Sequence, residues 1–229
     1  MAYISREDFL AQQKEKEARA AAAQNAGPKV GFFKLANDGD EAIVRFCYDD
    51  PNQFDILTTH KTTVDGKFRR VNCLRESFKD GPDSCPMCAA GEPVQQRFYI
   101  KLIEYVRDEN GNIVAQPKLW ERPTSYVNIL GNLFTEYGDI SDSVFKIKRS
   151  GEKGNMQTTY SIMLANPNVY NASLYPKNNE AFEGYSILGS AVLDKSFDEL
   201  KEMVGDSVEE TVTTGVTETT STPRKVAYY

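Results

Sequence analysis

The chain holds one histidine and four cysteines, and four of these five residues fall in a single stretch. His60 is followed thirteen residues later by Cys73, then after twelve by Cys85 and after three by Cys88. Thiolates and a neutral imidazole are the ligands of tetrahedral zinc, and a Cys₃His set fills all four positions, which makes the site structural. The spacing suits that role. His60 and Cys73 flank Asp65-Gly66, a two-residue hairpin signal that brings two strands side by side. "CPMC" is a tight knuckle that offers two thiolates to one ion. The polar, Gly/Pro-broken segment between them needs a staple to fold, and metal binding supplies that folding energy.

Other chemistries fit less well. A thioredoxin-type redox pair sits at a helix N-terminus within a βαβ pattern, and the pattern here is all β. A zinc deaminase shares the Pro-Cys-x-x-Cys knuckle but needs a His-x-Glu, whereas this chain reads His60-Lys61-Thr62. A metalloenzyme needs an open metal position. Cys47, the fourth cysteine, is read as a small buried strand residue, with replacement of His60 as a ligand the alternative.

The elements that must position these residues are mostly strands. From residue 30 the apolar period is two, and "VGFFKLA" and "EAIVRFCY" are predicted to pair across "NDGD". Hairpins follow around Asp65-Gly66, around Asn110-Gly111, and across "GEKGN". Between the last two, helical spacing at Tyr126, Ile129, Leu130, Leu133, Phe134 and Tyr137 predicts a helix ended by Gly138. Ser196 and Glu199 form a capping box for a short helix that ends near Gly205. Residues 5–25 read as a solvated helix, and the Thr-rich C-terminus reads as disordered. The predicted class is mainly β: an OB-fold-like five-stranded barrel with a zinc-binding subdomain and one or two helices, with an SH3-like barrel or an open sheet as the alternatives.

Cations and aromatic rings recur together on these strands. They are Lys67, Phe68, Arg69, Arg70 and Arg75 around the first hairpin; Tyr99, Lys101, Tyr105 and Arg107; Lys118, Trp120 and Arg122; and Lys146 and Lys148. Rings that stack bases and cations that neutralise phosphates make a single-strand binding face. In an all-β protein the competing reading of each ring is core. Tyr99, Lys101 and Tyr105 alternate onto one strand face.

The net charge is −6, yet eight acids against four bases lie from Asp194 onward, which leaves the body nearly neutral and free to carry local basic clusters. No apolar run is long enough to span a bilayer, and the N-terminus lacks a signal-peptide core. These features predict a cytoplasmic protein with no membrane partner.

"FFKLANDGDEAIVRF", the His60 to Cys73 spacing, "DSCPMC" and the basic aromatic segment after it resemble the single-stranded DNA-binding, helix-destabilising proteins of T-even-type bacteriophages, over about residues 30–165. The resemblance implies an OB-fold with a zinc subdomain beside a DNA cleft, with zinc on His60, Cys73, Cys85 and Cys88. It also implies an N-terminal arm for self-association on DNA and an acidic C-terminal tail that recruits phage replication proteins in the host cytoplasm. The expected organisation is an arm over 1–28, a core over 29–193 with the zinc subdomain at about 58–92, and a largely disordered acidic tail over 194–229. The expected function is non-enzymatic, sequence-independent protection of single-stranded DNA in replication, recombination and repair. The competing expectation is a zinc-stabilised protein-interaction or transcription-related module.

Overall fold

The computed structural model describes residues 30–64, 66–75, 79–155 and 157–209. The N-terminal arm and the end of the tail lie outside the described residues. The strands are β1 (Gly31–Phe32), β2 (Glu41–Phe46), β3 (Ile56–Val64), β4 (Lys67–Asn72), β5 (Val94–Arg107), β6 (Ile113–Pro123), β7 (Phe145–Ser150) and β8 (Thr159–Leu164). The helices among the described residues are α1 (Pro86–Ala89), α2 (Ser125–Tyr137) and α3 (Phe197–Glu209).

All eight strands belong to one mixed sheet in the order β1-β6-β5-β2-β7-β8, with β3 also paired to β5 and β4 to β3. The ends of this path are not joined, so the sheet is not a closed barrel; the eight strand segments named from the sequence are all present, in one mixed sheet rather than around a five-stranded barrel. The long β5 organises it. One edge pairs with β6 from Arg97 to Arg107, and the other carries β3 on residues 94–98 and β2 on residues 102–105.

The hairpins β3–β4, β5–β6 and β7–β8 form where turn residues interrupt the alternation. Gly66 takes φ +69°, which a side chain rarely adopts. The β5–β6 turn is longer than a two-residue loop: Asp108 Oδ1 accepts from the backbone N–H groups of Asn110 and Asn112. The segment at residues 30–36 departs from expectation. Instead of pairing with β2, β1 runs parallel to β6, and Phe33 and Leu35 are buried in the core. The "NDGD" turn is closed by Asp40 Oδ2, which accepts from the N–H groups of Ala36 and Asn37.

Both faces of β5 are covered. Phe98, Ile100 and Leu102 point into a core with Val44, Phe46, Trp120, Phe145 and Leu130 of α2. Tyr99, Ile103 and Tyr105 point the other way and are covered by the irregular segment at residues 170–193. Two buried arginines pin loops to this frame. Arg149 donates to the carbonyls of Leu35, Gly151 and Glu152. Arg45 does the same for the segment at 172–176.

The helix from residue 197 has the predicted capping box: Ser196 N–H donates to Glu199 Oε2 at 2.9 Å, and Glu199 N–H to Ser196 Oγ at 3.4 Å. Its place differs from expectation. Leu200 is fully buried, and with Met203 and Val204 it packs on Val71, Cys85 and Met87. The described chain from Asp194 through α3 thus packs on the lobe that carries Cys85 and Met87.

Candidate metal centre and nucleic-acid interface

The ligand atoms of His60, Cys73, Cys85 and Cys88 lie within 4.8 Å of one another. The β3–β4 register sets His60 opposite Val71, two residues before Cys73. Cys85 precedes α1, with Pro86 at the first helical position, and one turn carries Cys88 back to the same point. His60 Nε2 is 3.6 Å from Cys85 Sγ and 3.5 Å from Cys88 Sγ, and Cys73 Sγ is 3.6 Å from Cys88 Sγ. Bonds of about 2.0 Å to nitrogen and about 2.3 Å to sulfur give tetrahedral edges of about 3.5 Å for N···S and about 3.8 Å for S···S. The donor set therefore fits a tetrahedral ion.

The surroundings suit a ligand set. His60 Nδ1 lies 3.2 Å from the Pro93 carbonyl, which fixes the proton on Nδ1 and leaves Nε2 as the donor. Burial holds the imidazole below its ordinary pKa, and therefore neutral. Burial pushes the Cys73 thiol up to about 12, a cost that a bound cation removes. Burial also disfavours the Cys85 thiolate, but backbone N–H groups of Leu74, Cys88 and Met87 outweigh it and lower its pKa. Cys47 lies outside this cluster and packs beside Tyr105, where burial pushes its thiol up to about 12.

The predicted DNA-contact residues separate into groups. Phe68, Arg69 and Arg70 line a groove of about 320 Å³ together with Phe32, Lys34, Lys61, Glu121 and Ala191. Phe68 is 73% exposed and Phe32 is 46% exposed. Lys61 Nζ sits 4.2 Å from the centre of the Phe68 ring. Four cations and one carboxylate line this groove, so its charge is opposite in sign to that of the whole chain. Lys67 is exposed at the end of the same hairpin. Phe32, Lys34 and Lys61 are residues that sequence reasoning missed. Lys61 was accessible from the hairpin register, which places it opposite Arg70. Nothing local signals that β1 runs past β6 to bring in Phe32 and Lys34.

The remaining predicted contacts stand elsewhere. Tyr99, Tyr105 and Trp120 are 0%, 8% and 1% exposed, so none presents a ring face to a base. The alternation of Tyr99 and Tyr105 was correct, but Ile187 and Val192 cover one and Tyr175 the other. Trp120 is enclosed by the rings of Phe33, Tyr126 and Tyr160. Arg122 stacks on this aromatic group, 4.1 Å from the Tyr160 ring centre and 4.6 Å from that of Trp120. Lys101 pairs with Asp55 at 3.1 Å, and Lys146 and Lys148 both pair with Glu41. Lys118 lies 4.0 Å from Glu104, and Arg107 donates to the Gly111 carbonyl. Arg75 stands beside the metal centre, where its N–H faces the Cys73 sulfur.

No protein-family model and no curated protein sequence matches this chain. Among the described residues, no helix is long and apolar enough to cross a membrane.

Proposed function

We propose that this chain is a sequence-independent single-stranded DNA-binding protein of OB type, with a structural zinc on His60, Cys73, Cys85 and Cys88, acting in phage DNA replication, recombination and repair. The observation that carries the reading is the groove. Phe68 projects an almost unpacked ring from a hairpin, and Lys34, Lys61, Arg69 and Arg70 surround it. Phe68 and Phe32 are both exposed in one groove rimmed by cations, and an apolar patch with a polar rim marks an interaction site. A base stacked on Phe68 or Phe32, with the adjoining phosphates on the four cations, uses the exposed rings and the positive charge together.

The OB assignment is supported by connectivity. The meander β2–β5–β6 is followed by α2, and β7 then returns to the free edge of β2 before turning into β8. In this reading β3, β4 and the metal lobe are an insertion between the first two barrel strands. Zinc is favoured over other ions because three thiolates and one imidazole at tetrahedral spacing select a borderline-soft ion with no geometric demand of its own. Four protein donors complete that tetrahedron, which supports a non-enzymatic role. The N-terminal arm as a self-association element and the C-terminal segment as a partner site follow from the phage resemblance alone.

The test is fluorescence anisotropy with a labelled oligo-dT and a matched duplex across a salt series. The single strand is expected to bind preferentially, with log K falling linearly in log salt at about −0.7 per neutralised phosphate. Phe68→Ala is expected to weaken binding by about 5- to 100-fold, the worth of one stacked base. Equal binding of single strand and duplex, or a silent Phe68→Ala, sinks the reading.

The same titration read through Trp120 has a different expected result. Because the indole is enclosed by three rings, its emission should change little while anisotropy rises. Strong quenching at low occupancy would place the strand on the α2 side, away from the Phe68 groove.

A further inference from the structure

A carboxylate lies in the wall of the basic groove, where it opposes a polyanion. Glu121 lines the groove beside Arg70, and its Oε1 accepts from two guanidinium groups, Arg70 Nε at 2.6 Å and Arg97 Nε at 2.8 Å. Arg70 is also held by Gln95 Oε1 at 3.2 Å and Thr59 Oγ1 at 3.4 Å. The two guanidiniums thus converge on one anionic oxygen, the arrangement that arginine pairs make around a phosphate. Directly across the β5–β6 pair stands Tyr99, whose hydroxyl is buried and has no hydrogen-bond partner among the described residues. An unsatisfied donor beside a carboxylate that is already shared marks a site with a second arrangement available.

We propose that Glu121 is a resident anion that occupies a phosphate position of the groove, and that a backbone phosphate of the bound strand displaces it from Arg70 and Arg97. This rests on the single-strand reading above. In the free protein the carboxylate holds both arginines and neutralises part of their charge. In the complex a phosphate oxygen takes its place between them, and the unpartnered Tyr99 hydroxyl, opposite Glu121 in the β5–β6 register, is the donor assigned to the displaced carboxylate. Every group keeps its proton, and the exchange is of hydrogen-bond partners alone. Glu121 is then a positioning residue that weakens binding, keeps the groove from holding adventitious anions, and lets a bound strand leave.

The experiment is anisotropy of labelled oligo-dT against a sodium chloride series for the full chain and three variants. Glu121→Gln is expected to tighten binding at low salt by about 5-fold or more and to steepen the log K against log salt line by about 0.7–1.4, one or two further phosphate contacts. Glu41→Gln removes a carboxylate that pairs Lys146 and Lys148 outside the groove, and is expected to leave the slope unchanged. Arg97→Gln keeps the proposal exposed if Glu121→Gln folds poorly. On the exchange model Arg97 holds a phosphate in the complex, so the slope flattens by about 0.7, whereas an ordinary surface ion-pair partner leaves it unmoved. Wild-type binding with an unchanged slope in a folded Glu121→Gln, or in Arg97→Gln, overturns the proposal alone. Absence of wild-type binding at low salt removes the single-strand reading, and the proposal with it.

Discussion

Stripping the metal from the full chain with a strong chelator should free α3 and the Cys-Pro-Met-Cys turn together, while the sheet stays folded. The metal lobe has few other means of support. Its apolar residues Val71, Cys85, Met87 and Leu200 form a small cluster in which one of the four is itself a candidate metal ligand, and Cys73 and Cys88 pack at its border. Without an ion, three sulfur atoms and a ring nitrogen meet at about van der Waals distance with only weak hydrogen bonds among them. Structural zinc binding to small lobes amounts to about 10–16 kcal/mol of apparent free energy at neutral pH, and in such lobes binding energy is folding energy. Hydrogen exchange should therefore show residues 85–92 and 197–205 losing protection in one step on metal removal. Residues 41–46 and 98–107 should keep theirs, since their hydrogen bonds lie in the central sheet. Zinc should be released at one ion per chain, and Cys85→Ser should reproduce the loss with a metal affinity lower by at least about 100-fold, since even outer-shell changes cost 10- to 100-fold. Unchanged protection of α3 in the stripped protein would show that Leu200, Met203 and Val204 hold the helix without the metal. The same treatment should weaken oligo-dT binding, because His60 is followed directly by Lys61 on β3, and the hairpin from the metal centre to the groove is continuous.

What was legible in the sequence is what short-range chemistry decides. The turn at Gly66 joins β3 to β4, and their register with the spacing of the Cys-Pro-Met-Cys turn brings the four candidate ligands together. The capping pair Ser196 and Glu199 marked the start of α3, and its stripe of Leu200, Met203 and Val204 was present to be read as a docking face. What escaped was decided over long separations. β1 pairs with β6, some 87 residues on, and its "GFF" run carries no sign of the partner. Alternation assigned Tyr99 and Tyr105 to one face of β5, but could not foresee that the segment at 170–193 lies over it. That segment has no periodicity, because its backbone groups are satisfied by local turns such as Asn171 accepting from Ser173 N–H. Trp120 and Arg122 are expected from the sequence as separate DNA contacts, a ring and a cation; in the fold Arg122 stacks on Trp120 and on Tyr160. Lys146 and Lys148 pair with Glu41, more than a hundred residues earlier in the chain, which β2 sets opposite Lys148 and which nothing local announces.

The cover over β5 leads to the second large effect, which is on stability. Replacing Arg45 with Met should destabilise the protein by about 3–5 kcal/mol, because several buried acceptors lose their donor at about 1–3 kcal/mol each. Arg45 is 2% exposed and has no carboxylate within hydrogen-bond reach among the described residues. Its guanidinium donates instead to Tyr105 Oη at 3.0 Å and to the carbonyls of Ser141 at 2.8 Å, Ala172 at 3.2 Å and Tyr175 at 2.9 Å. Tyr105 passes the network on by donating to the Pro176 carbonyl at 2.6 Å. One planar donor set therefore satisfies carbonyls from an irregular segment that no strand could serve, and it fixes that segment over Ile103 and Tyr105. Methionine matches the length of the stem and removes the donors, so buried carbonyls are left unpaired at about 1–3 kcal/mol each before relaxation. Arg45→Lys should recover only part of the loss, because an ammonium cannot present the fork. Tyr105→Phe should cost less, about 1–2 kcal/mol, since it removes the Pro176 bond and one acceptor but leaves three carbonyls served. The measurement is urea unfolding with zinc held in excess, so that the metal lobe stays loaded throughout. If Arg45→Met unfolds within about 1 kcal/mol of the wild type, water enters beneath the 172–176 segment and does the work assigned to the guanidinium.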